Sequence, residues 1–216
     1  MKHMIFLTAL LSSFCTLHAA DQLCAREDFS RFDPGTYKRR ESSVWDIREE
    51  NGIHFRRLWN RHHILEGWHF IDNRESDYIL HIRFRIPDEK KFKKLTFEFH
   101  ITQLESGNIK GTQSNNFILN SSQLFFSASK TKFFMEEKEK LPAVVSKDIS
   151  PALQQGVWYD LHLRTQGSSF SAVLKENDTV KGTLETKTAG ESGQLKMISE
   201  GDIDIALIES FAATPN

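Results

Sequence analysis

Tyr78-Ile79-Leu80-His81-Ile82-Arg83-Phe84-Arg85-Ile86 is the stretch that decides the fold. Tyr78, Leu80, Ile82, Phe84 and Ile86 occupy alternate positions, and His81, Arg83 and Arg85 lie between them. Successive side chains of an extended strand point to opposite faces, so the spacing predicts a half-buried strand with one apolar and one charged face. Lys94–Ile101 repeats the pattern, with Leu95, Phe97, Phe99 and Ile101 inward and Glu98 and His100 outward. Val157–Arg164 is a third such strand, carrying Trp158, Asp160, His162 and Arg164 on its polar side.

Working outward, shorter strands are predicted at Val44–Ile47, Ile53–Trp59, Asn116–Asn120, Gln123–Ala128, Ser169–Lys175, Thr179–Glu185, Gly193–Ile198 and Ile203–Ile208. Turn chemistry separates them. Asn51-Gly52 tolerates positive φ and suits a hairpin. Gln166-Gly167-Ser168 and Glu176-Asn177-Asp178 end two more strands. Many short strands with polar turns predict an all-β, antiparallel two-sheet sandwich with little helix. Two short helices are expected, at Lys132–Lys140 and Ser150–Gln155, the latter from Ser150-Pro151 as an N-cap followed by Pro at the first helical position. Glu136–Lys140 is a charge run expected on the surface.

The 216 residues are enough for one domain, and 17 Phe with 4 Trp supply bulky core material. Lys+Arg (28) and Asp+Glu (29) nearly cancel, which removes the strong basic field of a nucleic-acid binder. Residues 1–20 read as a secretory signal: Lys2 and His3, an apolar run from Met4 to Leu17, then Ala19-Ala20 before Asp21. That run of about 14 residues is short of the ~20 that span a bilayer. The expectation is a secreted or periplasmic protein, residues 21–216 forming one domain without stable membrane insertion after cleavage. Cys15 lies in the signal, leaving Cys24 alone and the mature chain without an internal disulfide.

The order of elements in the C-terminal third carries a resemblance. Gly156-Val157-Trp158 opens a strand, Gly167 and Glu176-Asn177-Asp178 make turns, and Gly193–Ile198 and Ile203–Leu207 close the chain. With Trp45-Asp46-Ile47 before Asn51-Gly52, this pattern resembles the concanavalin A-like lectin/glucanase jelly rolls. Within them it is similar to the secreted bacterial 3-keto-disaccharide hydrolase (DUF1080)-like group. The resemblance implies a jelly roll acting on or binding carbohydrate, with ligands on a concave sheet and no cofactor. The chain departs from the group's Phe-Asn-Gly-Lys-like opening, reading Phe32-Asp33-Pro34-Gly35 there, and lacks the Glu-x-Asp-x-x-Glu strand of family-16 glucanases. A retaining glycosidase needs two carboxyl groups about 5–5.5 Å apart. Asp202 and Asp204 come nearest to a same-face pair, where solvated turn chemistry is the plainer expectation.

If the three charged strand faces share one sheet, they converge. Glu98, His100 and His162 are then the acid–base candidates, because His and carboxylates exchange protons near neutral pH. His81, Arg83, Arg85, Asp160 and Arg164 would bind hydroxyl or carboxylate groups, and Trp158 and Trp68 would stack on sugar rings. The alternative is that these are outward faces laced with cross-strand ion pairs. His54, His62, His63 and His69 follow no ligand spacing that marks a metal site, so none is assigned. Nucleophile and phosphate-loop motifs are absent from the sequence. Two functions remain: hydrolysis of a glycosidic bond in a (3-keto-)disaccharide or glycan, or a non-catalytic glycan-binding or structural module of the cell envelope. Oligomeric state is left open.

Overall fold

The computed structural model describes residues 22–35, 37–40, 43–59, 62–63, 77–88, 90–106, 109–132, 138–188 and 194–212. The described residues contain no helix and form fifteen strands. They are β1 (Gln22–Glu27), β2 (Tyr37–Arg40), β3 (Ser43–Glu50), β4 (Ile53–Trp59), β5 (His62–His63), β6 (Tyr78–Arg85), β7 (Lys94–Ser106) and β8 (Ile109–Leu119). The chain continues with β9 (Gln123–Lys132), β10 (Lys138–Asp148), β11 (Trp158–Gln166), β12 (Ser169–Glu176), β13 (Thr179–Lys187), β14 (Gln194–Glu200) and β15 (Ile203–Ala212).

Two antiparallel sheets result, giving the all-β jelly-roll sandwich expected from the alternation. Sheet A runs β13-β12-β11-β6-β15-β4-β3-β2, with β1 added on β15. Sheet B runs β10-β9-β8-β7-β14-β5. The inward positions of β6 and β11 are those predicted, since Leu80, Ile82, Phe84, Tyr159, Leu161 and Leu163 are all buried. From sheet B, Leu95, Phe97, Phe99, Phe117, Leu124 and Phe126 face them. Phe170 of β12 stacks on Phe99 at 4.9 Å between centroids and lies 5.4 Å from Phe117 and 5.3 Å from Phe126. One aromatic of sheet A thus fills the space among three of sheet B.

The hairpin readings hold: Asn51 and Gly52 have φ of 52° and 75°, and Asn177 and Asp178 of 46° and 66°, the paired positive values of a two-residue turn. Gly201 turns the chain from β14 in one sheet to β15 in the other at φ 92°, and a Cβ there would sit 1.9 Å from the Lys91 carbonyl oxygen. Only glycine fits that corner.

Two expectations are overturned. Residues 150–155 are not helical, because their backbone serves the strands. Ile149 and Leu153 donate to the Ser122 and Ser121 carbonyls, and Gly156 donates to Ile86. Ile149 and Leu153 are thereby drawn into the core. The second helix fails as well: Lys138–Lys140, the end of the charge run, pairs in β10 with Ser129–Thr131 of β9. Residues 133–137 and residues 1–20, where a signal is expected, lie outside the described residues, as does Trp68.

Candidate functional site

The sheet order divides the candidate residues. β6 and β11 are neighbours in sheet A, but β7 belongs to sheet B. Glu98 lies between the buried Phe97 and Phe99 and faces away from the sandwich on the sheet B side. His100 is in the same strand. The expected convergence of Glu98 with His162 therefore does not occur, because the two sheets and the core between them separate the faces. Alternation had fixed the face of each strand but not the sheet to which it belongs.

The remaining residues do assemble, on the outer face of sheet A. Register places them in cross-strand rows. Trp158 lies opposite Arg85, and Arg85 opposite Asp204. The next row is Lys175, Asp160, Arg83 and Leu207. Val173, His162, His81, Glu209 and Arg26 form the third. Glu185, Ser171 and Arg164 lie in the fourth.

His81 is the hub. Its Nε2 is 2.9 Å from Asp160 Oδ1 and its Nδ1 is 2.9 Å from Glu209 Oε2. Two carboxylate acceptors require both ring nitrogens to carry protons, so His81 is an imidazolium. Burial alone would lower its affinity for the proton, but the hydrogen bonds to Asp160 and Glu209 outweigh burial and raise its pKa above the ordinary 6.5. The hydrogen bond from His81 holds Asp160 below the usual carboxylate range against its partial burial. Glu209 also accepts from Arg26 at 2.7 Å.

His162 stacks on His81, ring centroids 4.3 Å apart and 7° from parallel. Partial burial, then the charges of His81 and Lys175, push its pKa below 6.5. The pair is thus one charged ring against one neutral ring. The signs follow for stability. The His81 contribution is fully present below about pH 6.5 and fades as pH rises through its raised folded value. The Asp160 contribution is present above its unfolded value of about 4 and lost in acid. His162 opposes His81, because its folded form resists a proton that the unfolded chain accepts below about pH 6.5. Titration of the histidine Cε1 protons by NMR should give two transitions on opposite sides of 6.5. In a His162→Gln background, His81→Gln should cost more stability at pH 6 than at pH 9. Coincident transitions near 6.5, or a cost independent of pH, would contradict the charged hub.

A second network lies below this one. Asp204, fully buried, accepts from Arg57 Nε (2.6 Å) and Nη2 (2.7 Å) and from Arg85 Nε (2.8 Å). Arg85 also donates to Glu50, and its guanidinium packs beside both the Phe55 and Trp158 rings, 4.7 and 4.8 Å from their centroids. Trp158 meets Phe55 edge-on at 5.9 Å. Arg85, a candidate ligand contact, is only 8% exposed and committed to Asp204 and Glu50, so it holds the sheet instead. Asp204 is likewise not solvated turn chemistry, and sequence reasoning missed it as an anchor. Its partners lie 147 and 119 residues away, so no local signal could have found it.

The face ends in an open depression of about 540 Å³ over β11, β12 and β13. Arg164, Gln166, Ser169, Ser171, Glu185 and Lys187 line it, with Phe170 and Thr186 at its floor. Along β11, Trp158 to Arg164 spans roughly 20 Å at ~3.3 Å per residue. Among the described residues no three His, Cys, Asp or Glu side chains converge as metal ligands. His54 approaches Glu49 at 3.7 Å, and His62 and His63 pair in β5 with Ser199 and Ile198. His69 lies outside the described residues.

No protein-family model matches the chain, and no curated protein matches it. The specific likeness to the 3-keto-disaccharide hydrolase group therefore has no support beyond the order of strands. Among solved structures, the chain is similar to the exoplasmic/lumenal domain of VIP36 in its Ca²⁺/Man3GlcNAc-bound form. That match has 12% identity and a TM-score of 0.47, and covers 83% of this chain and 84% of that one. The CBM2 module of the evolved Dit of Lactobacillus casei BL23 phage J-1 matches at 11% identity and TM-score 0.46, covering 90% of this chain and 97% of that one. The carbohydrate-binding module CBM66 from Bacillus subtilis matches at 10% identity and TM-score 0.43, covering 82% and 92%.

Proposed function

We propose that this protein is a secreted or periplasmic carbohydrate-binding sandwich that holds its ligand on the outer face of sheet A without hydrolysing it. The observation that carries the reading is the open depression at Arg164, Gln166, Ser169, Ser171, Glu185 and Lys187, on the strand β11 that also carries His162 and Trp158. Small-molecule sites are usually lined mainly by apolar groups. Here apolar surface and donors and acceptors line a shallow site in about equal measure, a mixture that suits a ligand of carbon rings covered in hydroxyl groups. Trp158 at the far end of the strip offers a flat apolar surface to such a ligand. The N-terminal signal-like sequence supports export.

Catalysis fits the face poorly. Glycoside hydrolysis needs one carboxyl group that keeps its proton at working pH. Asp160 is held ionised by His81, and Glu209 is shared between His81 and Arg26. His81 has no lone pair free to act as a base. His162 has a neutral ring but no carboxyl partner within hydrogen-bond distance among the described residues.

The test is ligand-observed NMR with plain disaccharides, 3-keto-disaccharides and short glycans. Line broadening of one class, weakened at least about tenfold in Arg164→Ala and in Ser171→Trp, is the expected result. That loss corresponds to about 1.4 kcal/mol. New product signals would replace the binding reading with an enzymatic one, and no broadening anywhere would remove carbohydrate as the ligand.

A further inference from the structure

The charges on the outer face of sheet A do not balance locally, and the imbalance identifies a class of ligand. The carboxylates near the hub are already matched, whereas Glu185, two strands from Arg164 in the same row, lines the depression with no cation within 4.0 Å among the described residues. Asp160 and Glu209 face His81, Glu209 also holds Arg26, Asp204 lies between Arg57 and Arg85, and Glu50 holds Arg85. Arg83, Lys175 and Arg164 are left with no carboxylate within 4.0 Å among the described residues. Arg83 stands beside Asp160 and its charge helps to keep that carboxylate ionised, but the hydrogen bond of Asp160 Oδ1 goes to the imidazolium. The Nε–H of Arg83 is shut away from solvent and finds no acceptor. Its guanidinium is set by the Trp158 ring, 5.9 Å away, and not by an ion pair.

Position sharpens the point. Arg83 and Lys175 flank Asp160 from the two adjacent strands, one on each side. Arg164 is four residues further along β11, roughly 13 Å at the rise of a strand. The neutral His162 lies between them and adds a ring N–H without adding charge. The whole chain has a net charge of −1, so this is a local site and not the edge of a basic protein.

Resting on the binding function above, we propose that the ligand is an acidic glycan. Arg83 with Lys175 would receive one sugar carboxylate, and Arg164 at the depression a second one on the same oligomer. Arginine suits this task because its planar fork matches a carboxylate. Two cationic loci about 13 Å apart along the strand favour an oligomer with acid groups on more than one unit over a single free acid.

His162 provides an internal reporter. Burial, with the charges of His81 and Lys175 added to it, keeps this ring neutral; an anion placed between Arg83 and Arg164 offsets those charges, so binding draws a proton onto it. A neutral sugar has no such effect.

The protein would be titrated with trimers of galacturonate, glucuronate and mannuronate, with the methyl ester of each, and with inorganic triphosphate. Calorimetry gives affinity, and NMR follows the His162 Cε1 proton across pH. At least one acid should bind ten times or more tighter than its ester. Arg83→Gln, Lys175→Gln and Arg164→Gln should each lose about tenfold, and the His162 transition should move to higher pH with the acid bound. Equal binding of acid and ester would overturn the acidic class and leave carbohydrate binding standing. Triphosphate binding as tightly as the acid through the same residues would reduce the site to a general anion site and overturn the sugar assignment. Failure of every acid and every ester to bind would remove the proposal together with the reading beneath it.

Discussion

Replacing Asp204 with alanine should lower the stability of the fold by about 3–5 kcal/mol, the usual consequence of removing one partner from a buried ion network. The carboxylate is fully buried and is gripped by both nitrogens of the Arg57 fork and by Arg85 Nε. Without it, Arg57 and Arg85 face each other across β15 with no counter-charge between them. Arg85 keeps Glu50, a partner that is half exposed and so screened by solvent. That retained contact places the loss toward the lower end. For a chain of this size each kcal/mol moves the midpoint about 2–4 °C, so thermal unfolding followed by circular dichroism should shift down by roughly 6–20 °C. A shift under about 2 °C would mean that the two arginines find other partners and that the network is not a keystone of sheet A.

The second large effect is expected at Phe170. Its ring is 2% exposed and touches Phe99, Phe117 and Phe126 across the sandwich. Truncation to alanine empties a space bounded by three rigid rings on strands tied by backbone ladders, so little can collapse into it. Large aromatic deletions in such cores cost about 3–5 kcal/mol. Phe170→Leu, which keeps most of the volume, should recover more than half of that. Chemical denaturation of the three proteins separates the cases. If alanine and leucine cost the same, the aromatic contacts matter and the volume does not.

These two sites differ in how far the sequence discloses them. Phe170 lies in a period-two strand, and its burial follows from the alternation Phe170, Ala172, Leu174. The same alternation predicts the inward faces of β6, β7 and β11. It says nothing about which strands are neighbours. The adjacency of His81 and His162 depends on β6 pairing with β11, and the exclusion of Glu98 depends on β7 pairing elsewhere. Both are set by how the strands of two sheets wrap around a common core, a property of tertiary packing and not of local pattern. Strands such as β2, Tyr-Lys-Arg-Arg, and β10, with its lysines and a proline, are edge or near-edge strands with charged composition. Charge and proline are common on edges because they discourage further pairing, and they conceal the strand from a reading based on apolar alternation. Asp204 was legible as a residue between two isoleucines, but its depth was not. β1, β4 and β6 converge on β15 only once the sheet has formed.

That convergence has a consequence for synthesis. β15 is the last strand of the chain and an interior strand of sheet A, paired with β6 along one edge and with β4 and β1 along the other. Until β15 has emerged from the ribosome, β4 and β6 have no strand to join them, and Arg57 and Arg85 lack Asp204. The nascent protein can gather its Phe-rich meander of β7, β8 and β9 early, because those contacts are close in sequence. Sheet A must wait for β15. It is therefore completed only after the other fourteen described strands have been made, and until then the unpaired edges of β4 and β6 are the surfaces a chaperone would need to shield.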